Sequence, residues 1–486
     1  MSKKINNAQY FLFRPHISAV FLLGFVILLA SVFSTFYPIQ AVVLSISAVI
    51  LLFLILKPEL PYYLLIILLH ISYVSLGIYG KYAYLANEIF AFIALLLWCL
   101  SRITNLAKPY QGTSCDVPII LLIGLSLLSL LLSNEYNQLL KLFLSLGIFF
   151  LTISIVNNHR ALTVIIWLII AMGAVNSIFC FLSLYSYPDY TGTKLFNDTY
   201  SLYIIFNDPA GVGKRGHSFA HPLTTAFWLN FALIFSFGKY ISIKGNKKLL
   251  LGILIFFMIS AHLTTLSKGP LLALIGATLF LFYFIVPIRK RFFTSVAILI
   301  FTIATAFVLV NATQLKKNLF FHVHQMSTSG DNTSTRTRLG WWTTSITKSL
   351  ENYGLGVGIG KLPEYLRPHV PHPHNVYVSV FGELGFIGIG LLVLTFSLAF
   401  KSYITALKQC RCEYYRRILL SYISGFLMLI FYIFTDYDYT TNLIWWYLGF
   451  GFAIASLAKE APSGYLDENL PFFKDRKSIC AIRIKE

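Results

Sequence analysis

Charge is scarce in this chain. Of its 486 residues only 12% are charged, against about 25% in an ordinary soluble domain, and acidic residues are the scarcest, 19 against 38 basic ones. So little charge cannot cover a water-facing surface, which excludes a soluble globular enzyme. Cysteine is thin as well: Cys99, Cys115, Cys180, Cys410, Cys412 and Cys480, none in a long outer segment on the topology below, which excludes a disulfide framework. Cys410 and Cys412 are one residue apart, a spacing that matches no tetrahedral zinc motif. The opening MSKKINNAQYFLFRPH leads into an apolar run without a small-residue cleavage site, so it reads as a first anchor and not as a removed leader.

What is abundant is apolar. Hydrophobic residues make up 57% of the chain and the mean hydropathy is +0.73. Runs of roughly 18 or more apolar residues recur, each long enough to cross about 30 Å of hydrocarbon as a helix. They lack the alternation of barrel strands, so the spans are helices and the fold class is all-α. The pattern predicts a polytopic protein of about fourteen spans, with twelve the alternative count. The expected limits are 17–36, 39–56, 60–79, 83–100, 116–133, 137–157, 161–185, 221–238, 249–267, 269–287, 292–311, 375–400, 418–435 and 441–458.

With both termini cytoplasmic, inner segments carry 25 of the 38 Lys and Arg, outer ones carry 12, and Lys141 falls within a span. That bias follows the positive-inside rule and accounts for most of the formal charge of +19 without a nucleic-acid partner. Residues 1–486 are thus expected to form a single membrane domain with two long outer loops, 186–220 and 312–374. Together these loops and their edges hold His217, His221, His322, His324, His369, His372 and His374, seven of the eleven histidines. Loops held by a rigid scaffold carry function, so the site is expected there.

Three stretches stand out. In STRTRLGWWTTSITKSLEN, residues 334–352, Arg338 and Trp342 are four apart and share a helix face, and the Trp pair suits a helix lying at headgroup level. Glycines 354, 356, 358 and 360 follow; they end a helix and permit close backbone approach, but GxGxGxG is not a nucleotide loop. HPHNVYVSVFGELGFIGIG, residues 372–390, puts His374 and Asn375 at the mouth of a span whose Gly382, Gly385, Gly388 and Gly390 suit close helix packing. Charges in or beside spans are costly and are functional candidates by default: Glu88, Lys141, Lys268, Glu383, Asp436 and Asp438. Asp436-Tyr-Asp438 has the look of a divalent-cation pair, but a polar surface turn is the simpler reading and no metal site is assigned.

His374-Asn375, nine residues, then Gly385-x-x-Gly388 resembles the signature that closes the large periplasmic loop of the O-antigen ligase family, which includes the O-antigen polymerases. Arg338-x-x-x-Trp342 before a Gly-x-Gly stretch, and the Ser267-Lys268-Gly269 turn, are similar to that family's two other marks. The resemblance spans about residues 205–400. Where the family usually has Ser-Arg-Gly this chain has Lys268, which keeps the charge but loses the bidentate fork; Arg215 in GKRGHSFAHP could supply one. The resemblance implies a bacterial inner-membrane glycosyltransferase. It would move a glycan from undecaprenyl diphosphate to a sugar hydroxyl on the outer face, without a cofactor. The acceptor is lipid A-core for a ligase and a lipid-linked glycan for a polymerase. On that reading His374 is the base, Arg338 and Lys268 complete the catalytic set, and Arg215, His217, Asn375 and Trp342 bind substrate. A lipid-linked oligosaccharide flippase is the rival class, but the long loops have no counterpart in the first half, as paired transporter repeats would require.

Overall fold

The computed structural model describes residues 59–70, 74–77, 84–103, 110–185, 193–194, 201–204, 218, 222–243, 245–285, 333–366, 372–434 and 439–461. The expected spans 17–36, 39–56 and 292–311 lie outside them. In chain order the helices are α1 (Glu59–His70), α2 (Ala86–Ile103), α3 (Asp116–Ser133), α4 (Tyr136–Ile155), α5 (His159–Tyr185) and α6 (Pro222–Ser242), followed by α7 (Asn246–Thr264), α8 (Lys268–Ile285), α9 (Thr333–Glu351), α10 (Val376–Gln409), α11 (Glu413–Tyr432) and α12 (Asn442–Glu460). Six of them, α3, α4, α5, α7, α8 and α10, are long and apolar enough to cross a membrane by length and composition.

The helices form where long runs of apolar residues cross the expected hydrocarbon, since in lipid each backbone amide must be satisfied within its own segment. α11 and α12 make the centre. α12 packs against α4, α10 and α11, while α11 also contacts α6 and α8. Most of their aromatic side chains are buried, and polar tips are paired there: Tyr403 Oη of α10 donates to Leu448 O at 2.8 Å, Tyr422 Oη to Tyr447 O at 2.8 Å, and Tyr447 Oη to Tyr422 O at 3.1 Å. α3 is the contrasting case, turning Val117, Ile120, Leu121, Leu128 and Leu131 outward, a face suited to lipid.

Contacts between distant segments sort into two ends. At one, Ile359 N donates to Ser129 Oγ, Lys361 Nζ to Leu132 O and Val376 N to Ile433 O. At the other, Ser114 pairs with Ser402, His159 with Tyr415, and Lys239 with Tyr414. Helices α3 to α8 therefore alternate in direction, whereas α8, α9 and α10 all begin at the His374 end.

Two expectations are corrected here. The span expected at 60–79 is helical only over Glu59–His70, and Val74–Gly77 is a strand, β1. And the helical fold carries one small sheet: β1, β2 (Tyr84–Leu85), β3 (Thr193–Lys194) and β4 (Ser201–Ile204), in the order β2-β1-β4-β3 and antiparallel throughout. The stretch after His70 is rich in β-branched and aromatic residues and ends in Gly77, so it favours an extended chain once a partner strand is at hand.

Candidate active site at the His374 turn

The site is built on a broken helix. α10 continues as helix on both sides of Gly385, whose φ of 68° and ψ of −160° interrupt it. The interruption frees backbone groups that the glycine-rich segment after α9 takes up. Val357 N donates to Gly382 O at 2.9 Å, Gly358 N to Glu383 O at 3.0 Å, and Phe386 N to Gly354 O at 2.9 Å. A side chain at Gly356 would run into the backbone of Glu383, and one at Gly385 into that of Gly354 and Leu355. The close approach expected of these glycines is thus made to the protein's own backbone, and Gly385 serves a helix break and not only helix packing.

This docking brings α9 against the entrance to α10. Trp342 Nε1 donates to Pro373 O at 2.9 Å, and its ring meets Phe434 edge-on. Trp341 packs on Val357, Leu362 and Leu366 and lies 5.5 Å, centroid to centroid, from the His374 ring. Arg338 is one turn earlier on the face of Trp342, half-buried. Lys348, farther along α9, is held by the Glu351 carboxylate at 2.6 Å, and that hydrogen bond raises its pKa.

His374 has a φ of 53°, a left-handed conformation that a residue with a Cβ occupies at a cost of about 1–3 kcal/mol. Its backbone N–H donates to His372 Nδ1 at 3.2 Å, and the two rings are 4.6 Å apart. Asn375, buried, caps α10: its Oδ1 accepts from Val378 N at 3.1 Å. Its Nδ2, the Ser379 hydroxyl and Trp341 Nε1 are buried with no partner among the described residues. One step deeper, Glu383 accepts 2.7 Å from Tyr439 Oη, and Tyr439 O accepts from Trp445 Nε1 at 2.8 Å.

Of the residues expected from the sequence, the turn thus gathers Arg338, Trp342, His374 and Asn375. Lys268 opens α8, exposed, at the same end. What relates it to His374 is α11, against which α8 packs and whose cap residue Ile433 holds Val376. Arg215, His217, Asp436 and Asp438 lie outside the described residues. Sequence reasoning named Trp341 in the Trp pair and His372 among the loop histidines but gave neither a role in the site. Their only signal was proximity, Trp341 three residues from Arg338 and His372 two from His374.

No curated protein matches the chain. Among solved structures, a chain from "Structural coordination of polymerization and crosslinking by a peptidoglycan synthase complex" is similar at 12% identity over 71% of this chain and 98% of that one, with a TM-score of 0.41. Residues 253–393 match the family model described as O-antigen ligase. That stretch runs from α7 past the Gly385 break and contains Lys268, Arg338, Trp342, His374 and Asn375, so the likeness seen in the motifs is that of the O-antigen ligase family.

Proposed function

We propose that the protein transfers a glycan from undecaprenyl diphosphate to a sugar hydroxyl of lipid A-core on the outer face of the bacterial inner membrane. The observation that carries the reading is the fastening of α9 to the His374 turn: Trp342 holds Pro373, Trp341 meets His374, and Arg338 lies one helical turn before Trp342. A base and a cation beside one another are what the reaction needs. His374 takes the proton of the acceptor hydroxyl as its oxygen bonds to the anomeric carbon. The bond from that carbon to the diphosphate oxygen breaks, its electron pair leaving with undecaprenyl diphosphate. Arg338, Lys268 and Arg215 neutralise the charge that builds there. Asn375, Trp342 and His217 are assigned to binding the substrate.

The orientation is supported by charge. Lys239, Lys247, Lys248, Lys401, Lys408, Arg411, Arg416 and Arg417 belong to the end opposite His374, as a cytoplasmic face requires. An impermeant thiol reagent should label a cysteine introduced at Thr328 on intact cells. The activity is tested with the full-length protein in membrane vesicles, supplied with an undecaprenyl-diphosphate-linked oligosaccharide and lipid A-core. Glycan on lipid A-core supports the ligase reading. Longer lipid-linked chains with none on lipid A-core would replace it by a polymerase, and glycan moved across the bilayer without transfer by a flippase.

A further inference from the structure

We infer that His372 is a positioning residue for His374, acting as the tautomer that carries its proton on Nε2; the inference rests on the proposed role of His374 as the base. The His374 N–H donates to His372 Nδ1, so that nitrogen must present a lone pair. A neutral imidazole with Nδ1 bare has its hydrogen on Nε2, and an imidazolium, a donor at both nitrogens, cannot accept at all. The bond spans Pro373 and joins a side chain to the N–H two residues on, the form of an Asx turn built with a histidine.

The consequence is mechanical. His374 sits in a backbone conformation that few residues with a Cβ adopt, and the turn that leads into it is held at each of its three residues. His372 accepts from within the turn, Trp342 Nε1 holds the Pro373 carbonyl, and the Trp341 ring lies against the His374 ring. Pro373 has φ fixed by its ring, so the remaining freedom lies mainly at His372 and His374. A base works only within hydrogen-bond reach of the proton it takes, and a bond that fixes the backbone of His374 fixes where its ring can go.

The elements around the turn carry other charged or titratable groups. These are Arg338 and the Lys348–Glu351 pair on α9, Tyr377 and Glu383 on α10, Tyr439 hydrogen-bonded to Glu383, and Lys268 at the start of α8.

The test uses full-length protein in membrane vesicles with an undecaprenyl-diphosphate-linked oligosaccharide as donor, reading kcat and KM. His372→Asn should keep most of kcat, because Oδ1 accepts in the same two-residue turn. His372→Leu and His372→Gln should lose about 10- to 100-fold in kcat with KM little changed, the size of effect expected from a misplaced catalytic group. Wild-type kcat in His372→Leu, or His372→Asn as poor as His372→Leu, overturns the inference. Should His372→Leu fail to reach the membrane, His372→Gln decides. If the wild type itself transfers nothing, the proposed function fails instead. Histidine 15N spectra, with His372→Asn to assign the signals, then judge the tautomer: an Nδ1-protonated or cationic His372 at neutral pH overturns the inference.

Discussion

The two ends of the bundle use polar groups in opposite ways. At the end away from His374, side chains pair with side chains and fasten unbroken helices. Lys239, buried, donates to Tyr414 Oη at 2.7 Å and lies over its ring; His159 takes Tyr415 on one nitrogen and Thr163 on the other; Arg417 reaches Ile241 O at 3.2 Å. At the His374 end the backbone itself is broken, at Gly385, and a second segment repairs it. There too Asn375 Nδ2, Ser379 Oγ and Trp341 Nε1 are buried without partners among the described residues. Satisfied side-chain pairs are what a scaffold needs, whereas a strained backbone, as at His374 and the Gly385 break, is a feature to explain by function.

The contrast is easiest to break at its sharpest point. Removing the base with His374→Ala should cut transfer by about 10²- to 10⁴-fold, a barrier higher by about 3–5 kcal/mol, with membrane level and thermal stability unchanged. Near-normal transfer by that variant would end the case for His374. Next is Gly385→Ala, which meets the backbone of Gly354 and Leu355 at a positive φ and should cost about 2 kcal/mol or more of stability together with activity. Gly390→Ala on the same helix faces open space and should be silent in the same melting experiment. Arg338→Ala should lose far more transfer than Arg338→Lys, which keeps the charge and loses only the fork, while Lys268→Arg should match or exceed the parent. At the opposite end Tyr414→Phe removes an acceptor from buried Lys239. It should lower stability by about 1–2 kcal/mol and leave kcat alone, and a fall in kcat as large as that of His374→Ala would erase the distinction. Smallest of all, a chelator should not change transfer. Activity lost with chelator and restored by magnesium would redirect attention to Asp436 and Asp438.

Much of the scaffold can be read from the chain because hydrocarbon length imposes it. The span expected at 116–133 is α3 itself, and those expected at 137–157, 161–185, 249–267 and 269–287 begin or end within three residues of their helices. α9, Thr333–Glu351, was expected at 334–352 from its Arg and Trp pattern. The failures share one cause, contact with something distant in sequence. β1 is a strand because β4 pairs with it, Val74 facing Ile204 and Gly77 facing Ser201, and no local propensity names that partner. The glycines at 354 and 356 gave close approach correctly but not to what, since the helix break they fill lies some thirty residues on. Nor does spacing tell apart the two tryptophans: Trp342 is committed to Pro373, while Trp341 is the one beside the histidine.

Ile359 N reaches back to Ser129 Oγ across 230 residues, and the interval has a meaning in time. At a synthesis rate of about 5–20 residues per second, the α3–α4 hairpin waits in the membrane roughly 10–50 s before the segment that docks on it exists. Ser145, on the same hairpin, waits longer for Thr440 and Asn442, and Glu383 waits for Tyr439. The His374 turn is therefore among the last parts of the molecule to be held in place. A ribosome that stops before α11 releases a chain that has α9 and α10 but lacks Ile433 and Tyr439, the partners of Val376 and Glu383.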